Sequence, residues 1–216
     1  VFVNRTYSIE PPTIGAATFD GLDSNGFAYS INISNPEGYA DTLMSLEIKM
    51  NNIDSAYFLF YYQPQGLGDA PEVSDSLILE FKNNNNIWKK VWSKQGSSNH
   101  DFKKKVIIIN SNEYLHDYFQ FRFINKATLS GNFDHWNLDY VKIDQFNSSV
   151  DTSFLNDVSF VYNCPSFLSR YNEMPWLHFN EGMLIGNELL DTLDIKLRNN
   201  NASINVDYQY NVYTNN

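Results

Sequence analysis

Cysteine is almost absent from this 216-residue chain: Cys164 is the only one, so no intrachain disulfide can form. A eukaryotic secreted module would normally be stapled by disulfides, whereas a bacterial exterior makes no such demand. The Cys164 thiol, next to Pro165, is interpreted as a small buried hydrophobe rather than a nucleophile. The cysteine content therefore favours a bacterial protein without thiol chemistry.

Positive charge and long apolar runs are also scarce. The chain has 15 Lys and Arg against 25 Asp and Glu, a formal charge of −10. An acidic surface repels phosphate backbones and anionic headgroups, so nucleic-acid and direct lipid binding are not expected. No apolar run approaches the roughly 20 residues of a membrane span, and no signal peptide opens the sequence. We interpret Lys89-Lys90 and Lys103–Lys105 as lysines that protect an edge strand or a solvated face.

Aromatic residues, by contrast, make up 16% of the chain, and apolar residues alternate with polar ones. Leu77, Leu79 and Phe81 share one face of a predicted strand. Ala56–Tyr62 is apolar on both faces, which predicts a central strand covered on each side. The same alternation predicts further strands at Leu43–Ile48, Ile87–Trp92, Val106–Ile109, Phe119–Phe123 and Trp136–Ile143.

Turn residues separate these strands. Phe27–Ile33 is predicted to be another half-buried strand, with its odd-numbered residues facing inward. The Asn83–Asn86 tract predicts a hairpin loop, because Asn tolerates left-handed conformations. No amphipathic helix longer than two turns is predicted. Many short strands punctuated by turns indicate an all-β sandwich or barrel.

A change of composition near residue 147 divides the chain into two predicted units. Residues 1–146 are predicted to form a jelly-roll β-sandwich, and residues 147–216 a linker and the start of a second, Ig-like β module. The second unit includes an apolar-rich segment at Leu155–Tyr162 and a predicted strand at Ile204–Val212 in which apolar and polar residues alternate strongly. So short a unit either packs onto the first domain or continues in a longer protein, and we prefer the second alternative.

Three blocks resemble, in order, the MAM and related concanavalin-like jelly-roll modules of extracellular proteins. Ala17–Gly21 is similar to the opening Phe-acidic-Gly turn of that family. Tyr57–Tyr62, the Gly66–Asp69 loop and Ser76–Phe81 are similar to its unit of aromatic strand, glycine-rich loop and strand. Trp136–Ile143 resembles its closing strand, which carries an acidic residue.

The resemblance runs from Thr13 to Ile143, and the chain lacks the disulfide cysteines of animal MAM modules. It looks closer to disulfide-free relatives in surface or type IX-secreted proteins of Flavobacteria-type Bacteroidota. Four Asp-Ser/Thr-apolar triplets resemble the O-glycosylation acceptor of that phylum, although strands commonly begin in the same way. The acceptors would be Thr42, Ser55, Ser76 and Thr192.

A calcium site is predicted from acidic residues near both ends of the resemblance. Asp20, Asp23 and Asn25 lie in a glycine-flanked turn, and Asp139 lies on the strand that resembles the last one of the family. The first and last strands meet in such jelly rolls, so the resemblance implies that these side chains form one site. Hard oxygen ligands suit Ca²⁺. The alternative is a metal-free Asx-turn around Asp20 and an exposed Asp139.

No catalytic constellation is found, and we predict that the chain is not an enzyme. The closest carboxylates are Glu72, Asp75 and Glu80, and strand spacing places Asp75 on the face opposite the other two. The four histidines form no zinc-binding pair, and the sequence lacks a nucleophile elbow, a P-loop and a dinucleotide fingerprint.

The sequence instead predicts a cell-surface or secreted interaction module, part of an outer-membrane-associated assembly with protein partners. An apolar, Pro-containing segment needs cover from a following domain or a partner; its candidate contact residues are Met174, Pro175, Trp176 and Phe179. The alternative is a carbohydrate-binding module with an exposed tryptophan stacked on a sugar; the candidates are Trp88, Trp92, Trp136 and Trp176. A lectin-fold glycoside hydrolase is a third hypothesis.

Overall fold

The computed structural model describes residues 1–32, 36–153, 155–186, 188–200, 207 and 209. Within these ranges the regular structure is mainly antiparallel strand, with two helices, α1 (Val150–Ser153) and α2 (Trp176–Ile185). The strands are β1 (Phe2–Asn4), β2 (Ala16–Phe19), β3 (Glu37–Met44), β4 (Ala56–Pro64), β5 (Ser76–Lys82), β6 (Trp88–Gln95), β7 (Lys103–Ile109), β8 (Gln120–Thr128), β9 (Trp136–Gln145), β10 (Val158–Phe160) and β11 (Leu197–Asn199).

Strands β1 to β9 form two sheets that pack face to face. The five-stranded sheet has the order β1-β2-β9-β4-β7, and the four-stranded sheet has the order β3-β8-β5-β6. From β2 to β9 the chain crosses to the other sheet after every strand except β5, which forms a hairpin with β6. This order is that of a jelly roll, so the predicted fold class is confirmed.

Aromatic rings fill the space between the sheets. Phe58 and Phe60 come from β4, Phe81 from β5, Phe123 from β8 and Trp136 from β9, and all five are buried. The rings of Phe60 and Phe123 meet edge to face with centroids 5.0 Å apart, and those of Phe58 and Phe81 are 5.3 Å apart. Such pairs add to the free energy of area burial, so the aromatic-rich strands specify the core.

Strand β4 is buried on both faces, as its sequence predicted. Its outward-facing side chains Tyr57, Leu59 and Tyr61 pack against Leu155 and Phe102 in a second apolar cluster. Beyond Leu155 the chain forms the antiparallel pair of β10 and β11, from which Arg198 lies over the ring of Tyr61 at 5.9 Å. Leu155 and Arg198 therefore supply cover for the outer face of β4 in the five-stranded sheet.

Hydrogen bonds hold this C-terminal segment to the loop after β1. The backbone N–H of Glu10 donates to the Tyr162 hydroxyl at 2.9 Å, and Ser159 Oγ donates to the Pro12 carbonyl at 2.5 Å. Arg198 donates to the Glu10 carbonyl at 2.9 Å. Packing onto the first unit is thus observed for Leu155 to Asn163 and for Lys196 to Asn200. The Ig-like module and the boundary at residue 146 stay predictions, and the predicted strand 204–212 lies, apart from residues 207 and 209, outside the described residues.

One strand prediction was wrong. Phe27–Ile33 forms no strand over its described part, and its predicted inner face is largely in solvent, with Phe27 69%, Tyr29 43% and Ile31 78% exposed. The cause is local: Asp23 Oδ1 accepts hydrogen bonds from the backbone N–H groups of Asn25 and Phe27, at 2.8 and 2.9 Å. This Asx-turn folds the backbone into a loop before a strand can start. Ile33 lies outside the described residues.

Two further corrections are smaller. Strand β3 runs from Glu37 to Met44, so it overlaps the predicted strand Leu43–Ile48 only at its first two residues, and Leu46 is exposed. The Cys164 side chain is exposed rather than buried. Helix α2 has ten residues but does not gather its apolar side chains on one face, so it is not an amphipathic helix of the kind that the sequence excluded.

The lysine runs lie where an edge strand needs them. Lys103–Lys105 belong to β7, the last strand of the five-stranded sheet, and Lys89 and Lys90 belong to β6, the last strand of the four-stranded sheet. Charged side chains on such strands oppose pairing with another chain. Both runs therefore lie on edge strands, as predicted.

Candidate functional site

The outer side of the four-stranded sheet carries exposed side chains, among them Tyr39 and Met44, whereas the outer side of the five-stranded sheet is covered at β4 by Leu155 and Phe102. Leu77, Leu79, Phe81 and Phe123 point into the core, so the residues that alternate with them point outward. The strand register places the following side chains on this surface, which we call the open face: Tyr39, Thr42 and Met44 of β3; Gln120, Arg122, Ile124 and Lys126 of β8; Ser76, Ile78, Glu80 and Lys82 of β5; and Trp88, Lys90 and Ser93 of β6.

Arg122 organises one half of the open face. Its Nε and Nη2 atoms lie 2.7 and 2.6 Å from Glu80 Oε2, and its guanidinium lies 4.4 Å from the centroid of the Trp88 indole. In the next row, Lys82 Nζ donates to Gln120 Oε1 at 3.0 Å. The ion pair and the cation–π contact hold planar groups and polar atoms in fixed positions on a sheet surface.

The other half of the open face is apolar at its centre and aromatic at its corner. Ile78 and Ile124 lie side by side and are almost buried, while Tyr39 and Met44 on β3 are well exposed. Tyr39 is paired with Lys126, three rows along the sheet from Trp88. At normal strand spacing the two aromatic corners are about 25 Å apart.

The four tryptophans proposed from the sequence have different environments. Trp136 is fully buried, and Trp92 packs into the core with its ring 5.0 Å from both Phe60 and Tyr62. Trp176 is exposed at the start of α2. Tyr61 and Tyr62 of β4 are buried under other side chains. Trp88 is thus the tryptophan of the open face.

The four predicted calcium ligands are not brought together. Phe19 of β2 pairs with Trp136 and Ala17 with Leu138. Asp20 and Asp139 therefore lie at opposite ends of this pairing, about 14 Å apart by strand geometry. One ion cannot bind both carboxylates, because Ca²⁺–oxygen distances are about 2.3–2.6 Å.

Each of these carboxylates has its own hydrogen-bond donors. Thr13 donates to Asp139 from its backbone N–H and its hydroxyl, both at 2.8 Å. Asp20 Oδ1 accepts from the backbone N–H of Leu22 at 2.9 Å. Asp23 caps its own turn, and Asn25 is exposed within that turn. Burial raises the pKa of both Asp20 and Asp139.

A different group of carboxylates does meet. Carboxylate oxygens of Glu72, Asp75 and Asp134 all lie within 4.8 Å of one another. The prediction that Glu72 and Asp75 lie on opposite faces of a strand was wrong, because residues 72–75 form a turn. In this turn Asp75 N donates to Glu72 O at 3.0 Å, and Glu72 N donates to Asp75 Oδ2 at 2.8 Å. Burial raises the pKa of Asp75 to about 6 and that of Asp134 to about 7. We call this group the carboxylate cluster.

The predicted contact residues and glycan acceptors lie at the surface to different degrees. Pro175 and Trp176 are exposed and Met174 and Phe179 are half-buried, with the Trp176 and Phe179 rings 5.6 Å apart. Thr42 and Thr192 are exposed, whereas Ser55 and Ser76 are half-buried. Partner binding and glycosylation stay predictions. Neither helix in the described ranges has the length and hydropathy that crossing a bilayer requires.

Comparisons with known proteins give structural neighbours only. No protein-family model matches the sequence, and no curated protein matches it. A cleaved adhesin domain of Lys-gingipain from Porphyromonas gingivalis is 12% identical, with 62% of this chain and 75% of that chain covered and a TM-score of 0.39. A family 16 carbohydrate-binding module is 12% identical over 66% and 84% of the two chains, with a TM-score of 0.36. A family 28 module specific for non-crystalline cellulose is 14% identical over 68% and 100%, with a TM-score of 0.31.

Proposed function

We propose that this chain is a non-catalytic binding module of a bacterial surface or secreted protein, and that its open face binds a glycan. The observation that carries the proposal is the Arg122–Trp88 stack on the uncovered side of the four-stranded sheet. A sugar ring offers an apolar C–H face and a rim of hydroxyls. Trp88 is half-buried and Arg122 covers one face of its ring, so the rest of the ring is the flat apolar surface for the first, and Arg122, Glu80 and Gln120 supply hydrogen-bonding groups for the second.

The arrangement also limits the entropy cost of binding. Arg122 is already held by Glu80, and the aromatic ring of Trp88 is held by Arg122. Side chains that are fixed before binding lose less rotamer freedom when the ligand arrives. A rigid β-sheet surface therefore favours tight recognition from few contacts.

The length and charge of the open face define the ligand further. Two aromatic corners about 25 Å apart suit an oligosaccharide chain better than a single sugar. Four cationic side chains lie on the face against two carboxylates, since Arg122 pairs with Glu80 and Lys126 pairs with Glu37 at 3.2 Å; the cations are Lys82, Lys90, Arg122 and Lys126. In a chain of charge −10 this local excess of positive charge favours an acidic glycan.

Replacing Trp88 tests the glycan hypothesis directly. We expect wild-type protein to show saturable binding on an array of neutral and acidic glycans, and Trp88→Ala to weaken that binding at least tenfold, about 1.4 kcal/mol, because the stacking surface is lost. Isothermal titration with the best array ligand measures the loss. The matched control is Trp176→Ala, which removes an exposed tryptophan from α2 and should leave binding unchanged. Absence of binding by wild-type protein to any glycan would refute the proposal.

A second candidate function, protein docking in a surface assembly, is favoured by helix α2. Trp176 and Leu177 are adjacent and are 71% and 73% exposed, so two large apolar side chains remain in solvent. Apolar groups of this kind mark interaction sites when they cluster. We include Met174, Pro175 and Phe179 in the same proposed contact surface.

The docking hypothesis predicts a variant that loses association with its protein partners and keeps glycan binding. A Trp176→Ala/Leu177→Ala double variant should fail to co-purify with a large envelope complex from the native cells, while its melting temperature stays unchanged because both side chains are exposed. Trp88→Ala is the reciprocal control and should retain the complex. A lone, unassociated wild-type protein in the same preparation would contradict the hypothesis.

A further inference from the structure

The carboxylate cluster holds buried oxygens that have no hydrogen-bond donor. Asp75 is 1% exposed and Asp134 is 0% exposed, and Oδ1 of each residue is without a partner. Their Oδ2 atoms accept from the backbone N–H groups of Glu72 at 2.8 Å and Thr128 at 2.7 Å. None of the ion pairs in the described ranges includes Glu72, Asp75 or Asp134. Three carboxylates held this close, two of them buried, require positive charge or shared protons.

The side-chain amide oxygen of Asn125, a neighbour of the carboxylate cluster, also lacks a hydrogen-bond donor. Asn125 of β8 is fully buried and pairs with Leu77, two residues beyond Asp75. Its Nδ2 donates to the backbone carbonyls of Asp134 at 3.1 Å and Asp20 at 3.4 Å, while its Oδ1 has no donor. Asn125 is thus a further buried side chain with an oxygen that lacks a donor, and it contacts the backbone of the cluster residue Asp134.

We propose that Glu72, Asp75 and Asp134 bind a calcium ion. The donors are hard oxygens, which Ca²⁺ accepts six to eight at a time at about 2.3–2.6 Å, so two ligands on opposite sides of the ion stand about 5 Å apart. Oxygens that all lie within 4.8 Å of one another meet this limit. Mg²⁺ binds at about 2.0–2.1 Å in a stricter octahedron, and its opposite ligands stand only about 4 Å apart.

The bound ion would join two loops at one end of the sandwich. Glu72 and Asp75 belong to the loop between β4 and β5, and Asp134 belongs to the loop between β8 and β9. The two loops already meet at His135, whose Nδ1 accepts from Asp69 N at 3.0 Å and whose backbone N–H donates to Asp69 O at 3.1 Å. The ion is therefore a structural clamp at the end of the sheet opposite Trp88, where Lys126 of the open face donates to the Ser74 carbonyl of the same turn at 2.9 Å.

Calorimetry of the whole chain tests the clamp with the metal alone. After removal of divalent ions with EDTA and dialysis, an excess of CaCl₂ should raise the melting temperature by roughly 5–10 °C, the shift expected of a ligand near a hundred times its Kd on a domain of this size. MgCl₂ should give a clearly smaller shift. Isothermal titration with CaCl₂ should show one binding site.

Asp134→Asn separates a lost ligand from a damaged fold. Asp134 has a left-handed φ of 58°, which Asn tolerates, and the Asn side-chain oxygen can still accept from Thr128 N. We expect this variant to lose the calcium shift, and to melt without calcium at or above the wild-type temperature because one repulsive charge is gone. Asp23→Asn is the control: Asp23 lies in an exposed turn, so the full shift should remain.

Three results would overturn the proposal. They are a wild-type melting temperature that does not change with calcium, an Asp134→Asn variant that keeps the wild-type calcium shift, and an Asp23→Asn variant that loses the calcium shift. Equal shifts with CaCl₂ and MgCl₂ would refute the selectivity for calcium. Since glycan binding is measured on the open face through Trp88, its failure leaves these outcomes unaffected.

Discussion

Phe58→Ala should lower the free energy of unfolding by about 3–5 kcal/mol, the range for a large aromatic side chain removed from a packed core. Phe58 is fully buried, and its ring lies 4.8 Å from that of Phe121, 5.3 Å from Phe81, 5.8 Å from Phe60 and 6.0 Å from Phe123. Truncation leaves a cavity among four rings that are themselves held by both sheets, so the site cannot collapse to fill it. Urea unfolding of both proteins, with unchanged m-values, measures the loss.

Phe27→Ala is the matched control for this prediction. The sequence predicts that Phe27 faces the core, but in the structure it lies in a surface loop. Its removal should change the free energy of unfolding by no more than about 0.5 kcal/mol. Similar losses for Phe27→Ala and Phe58→Ala would mean that the loop after Asp23 is packed differently.

Leu155→Asp should release the C-terminal segment from the five-stranded sheet. Leu155 is buried against Tyr57, Leu59 and Tyr61, and a charge placed there without a partner costs about 3–5 kcal/mol. Because residues 155–200 are held mainly by this cluster and a few hydrogen bonds, the cost is met by local detachment. Proteolysis within that segment should accelerate, and binding of a hydrophobic dye should rise as Tyr57 and Tyr61 become accessible.

Phe160→Asp gives the comparison for Leu155→Asp. Phe160 belongs to the same segment but is half in solvent, so a carboxylate there stays hydrated and the segment should remain protected. If Leu155→Asp detaches the segment while the sandwich keeps its own cooperative transition, the predicted boundary near residue 146 gains support. Unchanged proteolysis of Leu155→Asp would show that other contacts hold the segment.

The sandwich was predictable because its strands carry the period-two signal on large side chains. Leu77, Leu79 and Phe81 point into the core as predicted, and the doubly apolar β4 is covered on both faces. The same period failed at Phe27, where the side-chain oxygen of Asp23 competes for backbone N–H groups. The alternation of apolar and polar side chains predicts which side chains would face the core if the segment were a strand. It does not predict whether one hydrogen-bonding residue, here Asp23, turns the backbone instead.

The candidate sites were less predictable than the fold. Arg122 contacts Trp88 and Glu80 across neighbouring strands, and strand pairing is not visible in a single sequence. Asp134 meets Glu72 and Asp75 through the packing of two loops. A local signal existed only for the Glu72–Asp75 pair, whose spacing in a Pro-containing loop is that of a turn rather than of a strand.

The pairing of β2 with β9 also governs how this protein is made. Thr18 and Asn137 lie opposite each other although 119 positions separate them in the chain. Strand β4 needs β9 beside it, so the five-stranded sheet cannot close until Gln145 has left the ribosome. At about 5–20 residues per second, the aromatic strand β4 waits roughly 4–15 s for its neighbour during synthesis. During that interval the apolar β4 lacks its neighbour β9 and is open to association with other chains, and slower elongation prolongs the exposure.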